Sequence, residues 1–388
     1  MTIVEPLLLE LDEQSREIVE LAREFARNEL APYAAEWDRE KQYPEATMQQ
    51  LGEMGFLGLR IPEQYDGLGL DTSTYLAVLE ELAAADAATS ITLSVHNSLP
   101  VSMLLDLGTA EQQERWLRPM ARGEVLAAFS LSEADAGSDA AGLRAQAVRS
   151  GSGWVLSGEK TWVTNGDTAQ LLVVMVRTDT PEERRGGRGV SVFLVPADAP
   201  GVEPGKAEDK MGLRASRTTN VMLNDVQLGD EHLLGKEGEG LRYALQALEH
   251  GRMGVAAQAV GIARTALQHA VRYAEERFQF EKPLKDFQAI QFKLADMVTR
   301  LSAARALLVE AARAKDVGEH VTERASMAKL FASETAMWVT NQAVQIYGGY
   351  GFMRDYPVER LYRDAKVTEI YEGTSEIQRL VITRGLYS

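Results

Sequence analysis

Residues 287–311 read FQAIQFKLADMVTRLSAARALLVEA. Within them Ile290, Leu294, Met297, Leu301, Ala304, Leu308 and Ala311 alternate steps of four and three without a break. A seam of that period belongs to a helix whose apolar edge is covered by other helices. Arg313, Ala314 and Lys315, followed by Gly318, supply its C-terminus, because cations and a glycine suit the carbonyl end of a helix. The flanking segments, about Leu241–Arg277 and Thr322–Tyr347, are long enough to be its neighbours. With a last helix they predict a four-helix bundle over residues 233–388.

Residues 1–120 also read as helical. Ile18, Leu21, Ala22 and Phe25 form a stripe at helical spacing, with Asp12 as cap. Pro44 can start the next helix. After the Gly-rich loop IPEQYDGLGLD, apolar helices are expected around Leu76–Leu82, Ser90–Leu107 and Glu111–Leu117, the last stopped by Pro119. Between the helical halves, at about 121–232, the period changes. Trp154–Leu156, Lys160–Val163, Leu171–Arg177, Val190–Val195 and Asn220–Val226 read as strands. Turn signals at Gly151-Ser152-Gly153, Asn165-Gly166 and Gly186-Gly187 separate them. The fold class is α+β with several domains: an N-terminal all-α domain, a small middle β-barrel or sandwich, and the C-terminal bundle.

The 388 residues carry a net charge of −16, which argues against nucleic acid as the main partner. With no cysteines, disulfides, thiol catalysis and iron–sulfur ligation are excluded. The five histidines are scattered, so no metal site is expected. The N-terminus MTIVEPLLLELDEQ is acidic, with an apolar run of only a few residues. It resembles neither a signal nor a transit peptide, and cytoplasmic residence is expected. No segment reaches the roughly 18 apolar residues of a membrane span.

The strongest functional signal is KVTEIYEGTSEIQRLVI, residues 366–382. Ser375 and Gln378 have capping-box spacing and predict a helix start. Glu372 then stands in the turn before a helix N-terminus, and Gly373 lets backbone approach a ligand closely. The plainer alternative is a solvated Glu in an ordinary cap turn. Other stretches carry similar alternatives. The small residues of FSLSEADAGSDA suit a flat or anionic ligand, or a plain strand-end turn. In KTWVTNG, Trp162 and Thr164 point to one face of a strand, where Trp162 is either a ligand wall or core. RFQFEKPLKDFQ is a ligand-binding or merely solvated helix end. QIYGG is explained by a helix C-cap alone. In LEHGRMG, Glu249 and Arg252 are either a solvated ion pair or polar members of a site. A nicotinamide or Walker fingerprint is lacking.

Taken in order, RIPEQYDGLG, FSLSEADAGSDA, KTWVTNG, KMGLRAS, FQAIQFKLADM, QIYGGYGF and IYEGTSEIQR resemble the acyl-CoA dehydrogenase family over nearly the whole chain, and its short-chain members most. The resemblance implies FAD as cofactor and Glu372 as the base that removes the acyl α-proton. It implies flavin-ring contacts from Phe129, Leu131 and Ser132, and phosphate contacts from Gly137 and Ser138. Ser138 also matches a residue touching coenzyme A. Trp162 and Val163 would wall the ring, and Thr164 would donate to its reactive nitrogen. Arg277, Phe280 and Gln288 match the adenine-nucleotide half of the site. Gln345, Ile346, Tyr347, Gly348 and Gly349 match a stretch that closes over the neighbouring subunit's cofactor. Thr374, Ser375 and Glu376 complete the cofactor set. Glu249, His250, Gly251, Arg252, Tyr371 and Gly373 match the substrate side.

By the same resemblance the reaction is α,β-desaturation of an acyl-CoA thioester. The Glu372 N–H and a ribityl hydroxyl would polarise the thioester carbonyl while a hydride leaves the β-carbon. Electrons would pass to an electron-transferring flavoprotein, and the protein would be a homotetramer built as a dimer of dimers. Some branched-chain members carry the base at the position matching Gly251. Here that residue has no side chain, so Glu372 would act alone. An acyl-CoA oxidase or flavin monooxygenase on the same fold, a flavin-retaining nucleic-acid-binding relative and a non-catalytic bundle remain as alternatives.

Overall fold

A computed structural model describes residues 11–180 and 186–387, so most of the acidic N-terminal stretch lies outside the described residues. Helices come first: α1 (Glu13–Phe25), α2 (Ala34–Glu40), α3 (Glu45–Glu53), α4 (Thr72–Ala85), α5 (Ala87–Ser98), α6 (Pro100–Leu107) and α7 (Ala110–Ala121). Asp12 caps α1 by accepting from the Ser15 N–H at 2.8 Å. The buried face of α1 is Val19, Ala22 and Phe25, and Leu21 of the expected stripe is exposed. A π-turn at Ala26–Leu30 carries this face on through buried Ala26 and Leu30.

Two helix boundaries differ from expectation. The single helix expected over Ser90–Leu107 is broken between Ser98 and Pro100, where Leu99 leaves helical geometry (φ −111°, ψ −72°) and Pro100 opens α6. Proline lacks the N–H needed to continue a helix but fits its first position. Conversely, Pro119 does not stop α7, which runs to Ala121. It sits in the last turn, and its carbonyl accepts the N–H groups of Glu124 and Val125.

The middle region holds β1 (Ala127–Ser130), β2 (Gln146–Ser150), β3 (Gly153–Thr164), β4 (Leu171–Arg177), β5 (Val190–Pro196), β6 (Val202–Pro204), β7 (Thr218–Gly229) and β8 (Leu233–Leu234). They form one eight-stranded sheet in the order β6-β7-β3-β2-β4-β5-β8, with β1 parallel to β4. The two strands expected at Trp154–Leu156 and Lys160–Val163 are one strand, irregular at Leu156/Gly158 and Lys160/Val163. Those irregularities interrupt the hydrophobic pattern and make one strand read as two. A separate core fills this sheet, where Trp154 meets Phe193 edge-on at 5.3 Å.

Helices return with α8 (Gly240–Glu276), which leads into a short ribbon of β9 (Phe278–Gln279) and β10 (Lys282–Pro283). Then come α9 (Gln288–Asp316), α10 (Thr322–Tyr347), α11 (Pro357–Lys366) and α12 (Ser375–Gly385). Along the seam of α9, Met297, Leu301, Ala304, Leu308 and Ala311 are buried. Alanine-rich α8 and α10 pack closely against each other and against α9. The bundle is tied to the first helices by buried ion pairs. Arg264 of α8 bonds both oxygens of Glu81 on α4, at 2.9 and 2.7 Å. Arg305 of α9 reaches Glu80 at 2.6 Å.

Candidate active site

Glu372 occupies the turn before α12 with φ +54°, and Gly373 follows with φ +95°. Left-handed backbone costs a non-glycine residue energy, so the surroundings must hold it. The Gln378 amide of α12 reaches back to the carbonyls of Glu372 (3.2 Å) and Gly373 (2.9 Å). The helix cap is Thr374, whose hydroxyl accepts from the Ile377 N–H, so the expected Ser375 cap lies one residue too late. Gln378 cannot close a capping box with Ser375 because its amide is committed to the turn.

Glu372 is not the solvated carboxylate of the plainer reading. Both of its oxygens are shut off from water and have no hydrogen-bond partner. Burial pushes the carboxyl up to about 7, opposed by Lys329 and Arg252 nearby. The N–H of Glu372 donates to no acceptor among the described residues. A free donor and a free, poorly solvated carboxylate thus arise from one residue.

The carboxylate lies against α8 where Gly251 leaves a gap. A Cβ built on Gly251 falls 1.6 Å from Glu372 Oε2. The neighbours of Gly251 are buried rather than solvated. Glu249 accepts from the Thr322 hydroxyl, Arg252 donates to Ser326 Oγ at 3.3 Å, and His250 leaves Nδ1 without a partner. Burial holds His250 well below the usual histidine range. Tyr371 is half-buried, and its hydroxyl bonds Gln258 of α8. Glu249 and Arg252 thus turn toward α10 and Tyr371 toward α8, around the Glu372 turn, whereas His250 faces Arg60 and Lys315.

The middle sheet offers a different surface. Trp162 sits at the β3 irregularity with φ +57° and is 60% exposed. The bulge breaks simple alternation, so Trp162 and Thr164 do not share a face by strand period alone. Lys160 and Thr161 beside them are buried in succession, as is Val163. The Thr161 N–H donates to the Ser132 carbonyl at 2.9 Å, joining the bulge to the small-residue loop. In that loop Phe129 and Ser132 are half-buried, Leu131 is buried, and Gly137 and Ser138 are exposed. Nothing lies within 4 Å of a Cβ built on Gly137. Ser130 and Thr161 bury hydroxyls that lack partners. An exposed indole, an open glycine loop and spare hydroxyls fit a broad planar ligand with hydrogen-bonding edges, as a flavin is.

The remaining cofactor candidates lie elsewhere on the chain. Arg277 caps α8 with its guanidinium 5.5 Å over the Tyr350 ring. Phe280 (φ +52°) and Gln288 are exposed. Gly348 caps α10 with φ +60°, and Gln345 and Gly349 are exposed. Ile346 and Tyr347 are buried in their own bundle, where Tyr347 stacks on Tyr273 at 4.0 Å. Thr374 is half-buried, Ser375 buried and Glu376 exposed.

Sequence reasoning missed two buried lysines. Lys160 donates to Glu133 (2.8 Å) and the Leu131 carbonyl (3.1 Å), fixing the small-residue loop to β3. Lys329 of α10 donates to the Gly373 carbonyl at 2.8 Å. Lys329 lies within the largely apolar stretch ASMAKLFA, which is a signal, whereas Lys160 beside Glu159 and Thr161 offered none.

The chain thus combines a buried, unpartnered carboxylate with a separate open surface that suits a planar, flavin-like ligand. Models of the acyl-CoA dehydrogenase N-terminal, middle and C-terminal domains match residues 12–124, 128–226 and 238–387. The mitochondrial short-chain specific acyl-CoA dehydrogenase of Mus musculus is 46% identical, over 96% of this chain and 90% of its own. The butyryl-CoA dehydrogenase of Megasphaera elsdenii superposes with a TM-score of 0.95 at 41% identity, covering 98% of this chain and 100% of that one. A chain solved in work on the electron transferring flavoprotein of Acidaminococcus fermentans gives 0.95 at 44% identity, covering 97% and 99%. The chain belongs to the acyl-CoA dehydrogenase family. It is accordingly an FAD-dependent oxidoreductase acting on acyl-CoA thioesters. No helix among the described residues is long and apolar enough to cross a membrane.

Proposed function

We propose that this protein removes the α-proton and β-hydride of a short-chain acyl-CoA, with Glu372 as the only base. The observation that carries this reading is the unpartnered carboxylate of Glu372 set over Gly251. An α-proton is weakly acidic, so the base must be strong at neutral pH and the developing oxyanion must be stabilised. Burial supplies the first condition by lifting the carboxyl to about 7. The free N–H of Glu372 supplies the second by donating to the thioester oxygen. Because both groups belong to one residue, the turn sets their relative position. FAD, when bound, supplies the acceptor for the hydride. Phe129, Leu131, Ser132, Trp162, Val163 and Thr164 would hold its ring, and Gly137 and Ser138 its phosphates.

Arg277, Phe280 and Gln288 would hold the adenine-nucleotide half. The exposed Gln345, Gly348 and Gly349 would meet a second subunit's cofactor within a tetramer. Electrons would leave to an electron-transferring flavoprotein, in keeping with the relative described with one. Cytoplasmic residence is the matching expectation, and cell fractionation checks it. The deciding experiment is anaerobic bleaching of the bound flavin by a panel of acyl-CoAs. Fast bleaching by butyryl-CoA is expected, and none by any acyl-CoA would end the proposal.

A further inference from the structure

Lys329 has no solvent-accessible surface, and its Nζ is fixed on the carbonyl of Gly373, the residue after the base. Holding a turn does not call for a charge. Gln378 already binds the same carbonyl with a neutral amide. A buried ammonium ion, in contrast, loses several kcal/mol of hydration unless another charge compensates it. The Glu372 carboxylate is the largest of the compensating charges, ahead of Glu369 and Glu376, and it forms no hydrogen bond of its own. The geometry separates two tasks that an ordinary ion pair would combine. A direct bond between Lys329 and Glu372 would occupy the oxygen lone pairs and drive the carboxyl strongly acidic. With the ammonium ion tied to the adjacent carbonyl, its field reaches the carboxylate while both oxygens stay free for a C–H proton.

We propose that Lys329 is a positioning residue for the reaction: it pins the left-handed turn that aims Glu372, and its charge favours the ionised carboxylate without bonding to it. The inference rests on Glu372 being the base. Lys329 is faced by Arg252 from α8, by Glu369 and Glu372 from the segment before α12, and by Glu376 from α12. Glu372 is faced by Lys329 and Arg252, and its charge is felt by Tyr75 of α4 and by Tyr371. Burial pushes Lys329 down to about 8, with the Glu372 carboxylate pulling it back up.

The test is single-turnover flavin reduction by butyryl-CoA as a function of pH. The holoenzymes compared are wild type, Lys329→Met, Lys329→Gln and Glu372→Gln. Both lysine variants should keep FAD and move the acid limb of the profile toward alkaline pH by about a unit or more. Lys329→Met should also lower the plateau by about tenfold, and Lys329→Gln, which retains a donor for Gly373, should recover part of that loss. An unmoved midpoint in both variants, with FAD retained, overturns the inference. So does loss of FAD in both, which would reduce Lys329 to a strut of the fold. A Glu372→Gln enzyme that bleaches at the wild-type rate sinks the base itself. A dead Glu372→Gln beside unshifted lysine variants sinks this inference alone.

Discussion

Glu81 on α4 and Glu372 in the turn before α12 are both carboxylates withdrawn from water, but their partners differ. Glu81 receives two hydrogen bonds from Arg264, and Arg23 approaches at 3.3 Å. Burial pushes its carboxyl up, yet the two guanidinium groups outweigh that and hold it below the usual range. Glu372 has no bond at all, and burial lifts it to about 7. One site spends its charge on joining helices. The other leaves its lone pairs unused within the chain, as the proposed base requires, and the fold carries an unpaired buried group. Burial of a carboxylate is therefore no mark of function until its partners are known.

The sharpest way to break this comparison is Glu372→Gln. The amide keeps the shape and removes the basic oxygen. Flavin reduction by acyl-CoA should fall by about 10²–10⁴-fold or more while FAD and the fold remain. Anaerobic stopped-flow bleaching measures it, and near-normal rates would place the base elsewhere.

On the other side of the comparison, Arg264→Met should act on stability. It strands Glu81 and Glu80 with part of their cations gone. Removing one partner of a buried pair typically costs about 3–5 kcal/mol. The holoenzyme should melt several degrees lower, while the pH midpoint of flavin reduction stays in place. A moved midpoint would show that the two carboxylates are coupled and the contrast false.

Gly251 tests how closely the base is fitted. A methyl group there would overlap Glu372 Oε2, so Gly251→Ala must displace the carboxylate. A misplacement of about 1 Å can cost about 10²-fold in rate, and that loss is expected with FAD retained. Glu372→Gly should be inactive, and adding Gly251→Glu should restore measurable bleaching, because the new side chain starts from the space the old carboxylate filled. Single-turnover bleaching decides, and a double variant as dead as the single one would refute the shared position.

What the sequence disclosed follows the same division. The bundle seam, the three-part fold and the turn position of Glu372 were legible because period and local spacing carry them. The partners were not. Nothing near residue 81 announces Arg264, and nothing near Gly373 announces Lys329, since each contact joins residues far apart in the chain. Breaks that depend on backbone geometry were also hidden. Trp162 at φ +57° reads as a plain strand residue, and Pro119 reads as a stop although the helix end tolerates it. Tertiary contacts override such local signals.

The two carboxylates should also carry opposite pH linkage. Glu81 is held below its unfolded value, so its contribution to stability is present above that value and lost as pH falls through the folded one. Glu372 is raised from 4.5 to about 7, so the folded state binds the extra proton and stability declines as pH rises across that window. Catalysis runs the other way, since only the ionised base accepts a proton, and the rate should climb through about pH 7. Comparing melting curves of wild type and Glu372→Gln across this window isolates the term. If the difference between them does not change with pH, Glu372 titrates as it does in the unfolded chain.

The smallest expected effect concerns the cap that fixes the turn. The Thr374 hydroxyl accepts the Ile377 N–H, whereas the buried Ser375 hydroxyl has no partner. Thr374→Ala should therefore cost about 1 kcal/mol, the usual loss for an N-cap. Ser375→Ala removes a hydroxyl that bonds nothing within the chain and should cost less. The asymmetry matters for Glu372 because α12 supplies Gln378, which holds the two carbonyls of the turn. A frayed first turn loosens that amide, so Thr374→Ala should also slow flavin reduction slightly, by less than Gly251→Ala does. Thermal melts of both alanine variants, read beside their bleaching rates, check the order. If Ser375→Ala proves the more destabilising, the helix begins one residue later than the structure places it, and Gln378 is free to cap rather than to hold the base.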